Sequence, residues 1–477
     1  MTRRITVLAV STLGAMAGFC RAQAPIQALL LTGQNNHNWQ FISRLHQDTL
    51  QDTGRFVVDV ADDAPAALAD RAALKKYEVF VLDYNGPRWG DKAEANFLEA
   101  VRSGTGVVII HASNNAFVGW TEYEKLCALM WVQNTTGHGR FHAFDVAFTN
   151  HEHPITKGLA DFTAHPDELY HRLVNTQNVK FDLLASALSS TESGGTGKEE
   201  PMAIALSYGK GRVFHTPLGH TWLNDDNSKA SGIDPQFKIL LARGAEWAAT
   251  GTVTLGAEWK DARPHNTLTE GEKAAGWRLL FDGKSPQGWH GFKSKGFPET
   301  WTVKDGTLLR PGGKGEGPDI VTDGEYRDFE FACDWKVAKG GNSGIMYHCD
   351  EEHQYSWQTG PEMQILDDGV HADGKKAKTR AGTMYDVVAC AFDVSRPAGE
   401  WNHARVVVRG THVEHWLNGF KVVDIDTAGD EFKKAIAESK WAKSKDYNSK
   451  PSGHIALQDH GDEVCFRDVK IRDLSGK

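Results

Sequence analysis

Residues 340–371, GGNSGIMYHCDEEHQYSWQTGPEMQILDDGVH, decide how the second half of the chain is read. Within them NSGIMYH and PEMQILD alternate in character with the period of two that belongs to a β-strand. In the first, Asn342, Gly344, Met346 and His348 fall on one face. In the second, Glu362, Gln364 and Leu366 oppose Met363 and Ile365. Farther along, VEHWLNG sets Glu414 and Trp416 against Val413, His415 and Leu417, and HIALQDH sets His454, Gln458 and His460 against Ile455 and Leu457. Each strand thus has an apolar face that must be buried. Its other face, rich in carboxylate, amide, imidazole and indole, either lines a groove of sugar size or is solvated outer surface.

Around this stretch the pattern is β throughout. WTVKDGTLLRP, DFEFACDWKV, HARVVVRG and VCFRDVKIRDL are short strands punctuated by Gly, Asn and Asp, and LNGF carries an Asn-Gly hairpin signal. One helical insert, DEFKKAIAESKWAK, interrupts them. This pattern predicts an antiparallel β-sandwich over 276–477. Before it, 251–275 is polar and irregular and reads as a linker.

The first half, 25–250, is built differently. IQALLLTG, YEVFVLDYNG and GTGVVIIHAS are apolar runs ending in turn residues, as buried parallel strands do, and helical stretches such as NWQFISRLHQDTLQDTG separate them. That order predicts an α/β domain with an open, mostly parallel sheet and helices on both faces. Ligands of such sheets lie beyond the carboxyl ends of the strands, where His37 and residues 111–115 fall.

With 477 residues the chain exceeds one ordinary core, so two domains of roughly 200 residues are expected. Residues 1–24 read as a cleavable signal peptide: Arg3 and Arg4, an apolar run, then Ala22-Gln23-Ala24. The twin arginines also permit Tat export, and no other run is long enough to span a bilayer. A periplasmic or secreted protein is expected. The formal charge of -9 becomes more acidic once Arg3, Arg4 and Arg21 leave with the leader, which speaks against nucleic acid as a partner. Cys127, Cys333, Cys349, Cys390 and Cys465 remain, an odd number without zinc-knuckle spacing, and read as buried thiols.

The second half resembles the 3-keto-disaccharide hydrolase domain, itself similar to concanavalin-like and glycoside hydrolase family 16 sandwiches of jelly-roll type. The matching stretches are GWRLLFDGKSPQGW, WTVKDGTLL, GGNSGIMYH, GPEMQILDD, GEWNHARVVVRG, WLNGFKV and GHIALQDHGDEVCFRDVKIRDL. The E-x-D-x-x-E strand of family 16 is absent, so hydrolysis by a carboxylate pair is not expected. The first half resembles the trehalose-utilisation ThuA-like family, with a flavodoxin-like, class I glutamine-amidotransferase-like fold, through LLTGQNNHNW, VIIHAS, HEHPITKGL, DELYHRL and YGKGRVFHTPLGHTW. An amidotransferase needs a cysteine at the strand-to-helix elbow. Here IIHASNN offers His111 and Ser113, and Cys127 lies too far along.

The resemblance implies a sugar substrate oxidised at carbon 3. The ketone acidifies the C2 hydrogen, and the group at C1 then leaves by β-elimination, with water giving net hydrolysis. This chemistry needs a base, a donor for the enolate oxygen and an acid or metal for the leaving oxygen. His348 or Glu362 is the expected base. Gln364, His460 and Arg467 are candidates to hold the oxygens. Trp357 and Trp416 are candidate stacking surfaces, and Asn342, Asp367 and Gln458 candidate substrate contacts. In the first domain His37, His111, His142, Glu168, His215 and His220 form a candidate site able to ligate a divalent cation or move protons. The acidic runs 350–353 and 366–371 lack EF-hand spacing and read as turn acids, so no metal is assigned to them. Two rival readings stay open: a noncatalytic carbohydrate-binding protein with a lectin-like sandwich, and a conventional glycoside hydrolase.

Overall fold

The computed structural model describes residues 24–475 except 224 and 314. Residues 1–23 of the expected signal peptide therefore lie outside the described residues. No helix among those described is long and apolar enough to cross a membrane.

The first domain is a nine-stranded sheet whose strands lie in the order Phe56–Ala61, Ile26–Leu31, Val79–Leu82, Gly106–Ile110, Gly211–Thr216, Glu199–Tyr208, Asp182–Leu188, His142–Phe148 and Phe162–Asp167. The first five are parallel. The last four continue the sheet antiparallel. The sheet is thus mixed, not mostly parallel as its early strands suggest. Glu199–Tyr208 and Gly211–Thr216 are joined by only two residues, too few for a crossover helix, so that pair must run antiparallel.

Alternation along the parallel strands feeds two cores. Ala28, Leu30, Val79, Val81, Val108 and Ile110 pack with helix Pro235–Thr250 on one face. Leu29, Leu31, Phe80, Leu82, Val107 and Ile109 pack with helix Asp91–Ser103 on the other. The long C-terminal helix sits so close that a Cβ at Gly244 would lie 2.2 Å from the Phe214 ring. Asn38 and Asp234 cap helices Trp39–Gln51 and Pro235–Thr250 by accepting from Phe41 N and Gln236 N.

The second domain packs two antiparallel sheets face to face around one apolar core. The larger sheet contains Phe329–Val337, Asn402–Arg409, His412–Leu417, Phe420–Asp426 and Val464–Asp473; the smaller contains Ile320–Thr322, His454–Leu457, Asn342–Cys349 and Glu362–Leu366. Ile345, Tyr347, Met363 and Ile365 point into the shared core. That leaves Gly344 and Gln364, which pair across the ladder, on the outer face of the smaller sheet. The helical insert is helix Asp430–Ala437 and then the 3-10 turn Lys440–Lys443, and its end lies over that face.

The stretch 251–275 is strapped to both domains. Arg243 donates to the carbonyls of Leu255 and Gly256, Trp259 Nε1 donates to Thr49 O, and Arg467 meets Asp261 at 3.0 Å. The domains also touch directly. Buried Lys229 reaches Asp393 at 2.7 Å, Lys238 reaches Glu400 at 2.9 Å, and Asn38 Nδ2 donates to the Asp393 carbonyl. The five cysteines among the described residues are free; Cys127, Cys333 and Cys349 are buried, and Cys390 and Cys465 are half-buried.

Candidate functional site

The outer face of the smaller sheet floors a cleft of about 590 Å³. Asn342, Glu362, Gln364 and Gln458 come from the sheet and the end of a strand; Asp459 and His460 come directly after them; Tyr355 and Trp357 come from the loop between two strands; Lys440 and Trp441 come from the insert. Glu362 lies over a gap in the sheet. A Cβ at Gly344 would sit 2.3 Å from Glu362 Oε1, so the glycine makes room for the carboxylate. Tyr355 and Trp357 stack at 5.1 Å and 8°, a flat apolar wall beside polar groups, as sugar sites require.

Burial shifts three ionisable groups that line the cleft. Burial pushes Glu362 up from 4.5 to about 7, opposed by Lys440 and helped by Asp319. Burial likewise raises Asp319 to about 6, although it accepts from Ser356 Oγ and Asp459 N. Burial lowers the Lys440 ammonium, with Glu362 opposing that shift. Lys440 lies 4.0 Å over the Tyr385 ring and 4.5 Å over Trp441. Asn342 Oδ1, Gln458 Oε1 and Asp459 Oδ2 are buried without a hydrogen-bond partner among the described residues. Unpaired acceptors lining a cleft are costly unless a ligand donates to them.

Four expected residues do not reach this cleft. His348 leaves it because the ladder slips between Met346 and Cys349 and His348 takes φ +57°. Cys349, not His348, packs with Met346, while His348 Nε2 donates to Arg327 O and lines a separate hollow. Arg467 lies on a strand of the larger sheet, away from the cleft, and pairs with Asp334 and Asp261 against Trp401 at the domain junction. Trp416 alternates as expected but belongs to the outer face of the larger sheet, under Arg405 at 4.0 Å. Asp367 is a buried turn residue accepting from Gly340 N and Gly369 N. Conversely, Lys440, Asp319, Tyr385 and Trp441 escape the sequence pattern, since none lies on an alternating strand. Only the aromatic and lysine content of SKWAK hints at the last turn of the insert. The acidic run 350–353 is a turn in which Asp350 pairs with His353 and Lys450.

In the first domain the sheet edge gathers His37, His111, His220 and Glu168. His111 occupies the elbow after strand Gly106–Ile110 with φ +44°. His111 Nε2 lies 3.3 Å from His37 Nε2, 3.1 Å from His220 Nδ1 and 2.9 Å from the Tyr170 hydroxyl. Glu168 spans His138 at 2.9 Å and His220 at 3.3 Å. Burial and the neighbouring imidazoles hold His37 far below the ordinary imidazole range and His111 near 4. His142 and His215 stay out of the cluster. His142 sits on the far antiparallel strands beside Phe144, and His215 is buried, bonded to Cys127 O and Asn114. Alternation explains His215: as the penultimate strand residue it points into the core, one step short of the edge. His138 and Tyr170 join the cluster from a two-stranded bridge that no sequence pattern announces.

Two other groups of possible metal ligands are accounted for by protein partners. His265 is drawn up to about 9, against its burial, by hydrogen bonds to Asp261 and Asp468. In the His412, Glu414 and Asp424 group, Lys421 pairs with both carboxylates and His412 with Asp424.

Comparison with known proteins divides the chain in the same place. Residues 276–472 match the model of a 3-keto-alpha-glucoside-1,2-lyase-like domain, and residues 27–248 match the model named Trehalose utilisation, ThuA. A Bacteroides thetaiotaomicron protein named 3-keto-disaccharide hydrolase is 30% identical over 45% of this chain and 80% of its own length. A Parabacteroides distasonis structure provisionally described as a glycosyl hydrolase is 35% identical, covers 44% of this chain and 100% of its own, and has a TM-score of 0.42. A Parabacteroides merdae structure described as ThuA-like is 37% identical over 49% of this chain and 92% of its own, with a TM-score of 0.45.

Proposed function

This chain belongs, through its second domain, to the 3-keto-disaccharide hydrolase family, and from that premise we propose that it cleaves the glycosidic bond of 3-keto-glycosides by taking the C2 proton and eliminating the C1 oxygen. The observation that carries the reading is the pairing of Glu362, raised to about 7, with the lowered ammonium of Lys440 across one cleft. A carboxylate poised near neutral pH is a competent base for a proton α to a ketone. The ammonium offsets charge as it moves onto the enolate oxygen. The C1–O bond then breaks as the C1–C2 double bond forms, and the departing oxygen takes a proton. Asp319, held up at about 6, is the carboxyl best suited to supply it. Addition of water across the new double bond completes net hydrolysis; without it the enzyme is a lyase.

The remaining cleft groups serve recognition in this scheme. Asn342, Gln364 and Gln458 present amides to sugar hydroxyls, His460 stands at the rim, and Trp357 with Tyr355 takes an apolar sugar face. The substrate is an oligosaccharide or keto-sugar. We also propose that the protein acts in the periplasm or outside the cell, on the strength of the leader-like residues 1–24.

The test is incubation of the full chain with 3-keto-trehalose and with trehalose in deuterated water, monitored by NMR. The expected result is deuterium at C2 and consumption of the keto-sugar alone, both lost in Glu362→Gln. Equal consumption of trehalose, or a glycosyl-enzyme trapped by a fluorosugar, would refute the elimination. Fractionation of expressing cells checks the location.

A further inference from the structure

His37, His111 and His220 arrive from three separate loops beyond the strand ends, yet their rings form a nearly regular triangle. The centroids are 4.8, 4.9 and 5.1 Å apart. The partners of the outer nitrogens assign two tautomers. His111 Nδ1 lies 2.6 Å from the Pro217 carbonyl, which can only accept, so Nδ1 carries the proton. His37 Nδ1 lies 3.1 Å from both Asn35 Oδ1 and Asn36 Oδ1. Those atoms are oxygens, because Asn35 Oδ1 also accepts from His37 N while Asn35 Nδ2 donates to Asp83, and Asn36 Oδ1 accepts from Asn85 Nδ2. Both Nε2 atoms therefore direct lone pairs at each other across 3.3 Å. The Tyr170 hydroxyl can donate to one of them only. Facing lone pairs repel unless a cation lies between them.

We propose that His37, His111 and His220 form a mononuclear site for a divalent first-row transition metal, with Glu168 as its adjoining carboxylate. Metal–nitrogen bonds of about 2.0–2.1 Å in tetrahedral array place ligand nitrogens about 3.3 Å apart. The two short spacings, 3.3 and 3.1 Å, agree with this. The second nitrogens of His37 and His111 are anchored as those of metal-bearing histidines are, on a carbonyl and on amide oxygens. His220 is held through its backbone, with Gly219 N and His220 N both donating to Asp167. An all-imidazole nitrogen set selects zinc-like ions over calcium or magnesium. Glu168 is steadied by His138, so its second oxygen faces the site. Three histidines leave a fourth position for water or a ligand oxygen. Trp222, 45% exposed, stacks on His220 at 5.8 Å and 9°. A polyol or hydroxyketone, with oxygens for the metal and a ring face for the indole, is the class of molecule that fits.

The test uses the full chain, stripped with a chelator and titrated with Co²⁺. The expected result is one equivalent bound, visible ligand-field bands of low-symmetry nitrogen coordination, and a rise in Tm with Zn²⁺. His37→Gln and His111→Gln should each weaken Co²⁺ binding at least about a hundredfold, whereas His142→Gln should bind as the parent does. Circular dichroism checks folding; should His111→Gln unfold, His37→Gln alone decides. Absence of both bands and Tm shift in the parent, or unchanged binding in a folded His37→Gln, overturns the proposal.

Discussion

Glu362→Gln keeps the side chain's shape and removes its charge, so it separates what the carboxylate does for the reaction from what it costs the fold. The native carboxyl titrates at about 7 against 4.5 for a solvated glutamate, chiefly because it is buried. At about 1.36 kcal/mol per unit, the ionised form costs the native state about 3 kcal/mol. The native pKa is the raised one, so the group's favourable contribution is complete below pH 4.5 and is lost as pH rises through about 7. Glutamine carries no such slope. At pH 8 the variant should therefore resist unfolding better than the parent by up to about 3 kcal/mol, less whatever Lys440 loses with its counter-charge. At pH 4.5 the two should unfold alike. Urea unfolding at both pH values, with the m-value held constant, measures this. In parallel kcat/KM on a 3-keto-disaccharide should fall about 10²–10⁴-fold, the span expected of a lost general base. A parent and variant that unfold at the same urea concentration at pH 8, or a variant that keeps full activity, would rule out Glu362 as a buried, raised base.

Lys440→Met removes the charge that restrains Glu362, so the rising limb of the pH–rate profile should move to higher pH and kcat should drop about a hundredfold or more; an unmoved limb refutes the pairing. His348→Ala should leave kcat/KM within about twofold and cost only the order of 1 kcal/mol for its bond to Arg327, read by steady-state kinetics and thermal melting. His165 is buried against its charge, but hydrogen bonds to Asp167 and Asp234 lift it to about 9. Its stabilisation is complete below 6.5 and lost as pH rises through about 9, so His165→Gln should destabilise more at pH 6 than at pH 9.5, by up to about 3 kcal/mol; a pH-independent loss in urea unfolding would contradict it.

What the chain reveals by itself is set by where strict periodicity holds. In PEMQILD the alternation holds from Glu362 to Ile365, with Glu362 and Gln364 on the cleft and Met363 and Ile365 in the core, whereas Leu366, assigned to the face of Glu362, joins the core instead. At the parallel strand ends the rule that ligand groups lie past the carboxyl edge puts His37 and His111 at the sheet edge where the fold has them, because it depends only on strand direction. Lys440 and Asp319 are invisible for a different reason. They reach the cleft from a turn and a loop, and nothing local in SKWAK or GPDI records which surface those segments cover.

Two strands carry the same irregularity, but only His348 is moved off the cleft by it, since Arg467 lies on the larger sheet. In Val464–Asp473 the core positions run Val464, Phe466, then Val469 and Ile471, an interval of three where alternation demands two. The extra residue is taken up at Asp468, which adopts φ +54°, and Arg467 turns to the domain junction. In Asn342–Cys349 the same event occurs at His348, φ +57°, after which Cys349 resumes the face of Met346. A bulge inserts one residue and reverses the facing of every later residue in its strand, and aspartate or histidine with positive φ reads in sequence like any other polar strand residue. Relieving the bulge therefore makes a sharper trial than deleting the side chain. Without the inserted residue His348 would face outward beside Met346 and Glu362, and Cys349 would turn toward the core that Tyr347 now fills. The apolar cluster of Phe292, Val321, Met346, Cys349 and Ala456 would lose a member in the exchange. The slip thus trades a polar side chain off this face for a buried thiol, and so leaves Glu362 as the basic group that the small sheet's middle strands offer to the cleft.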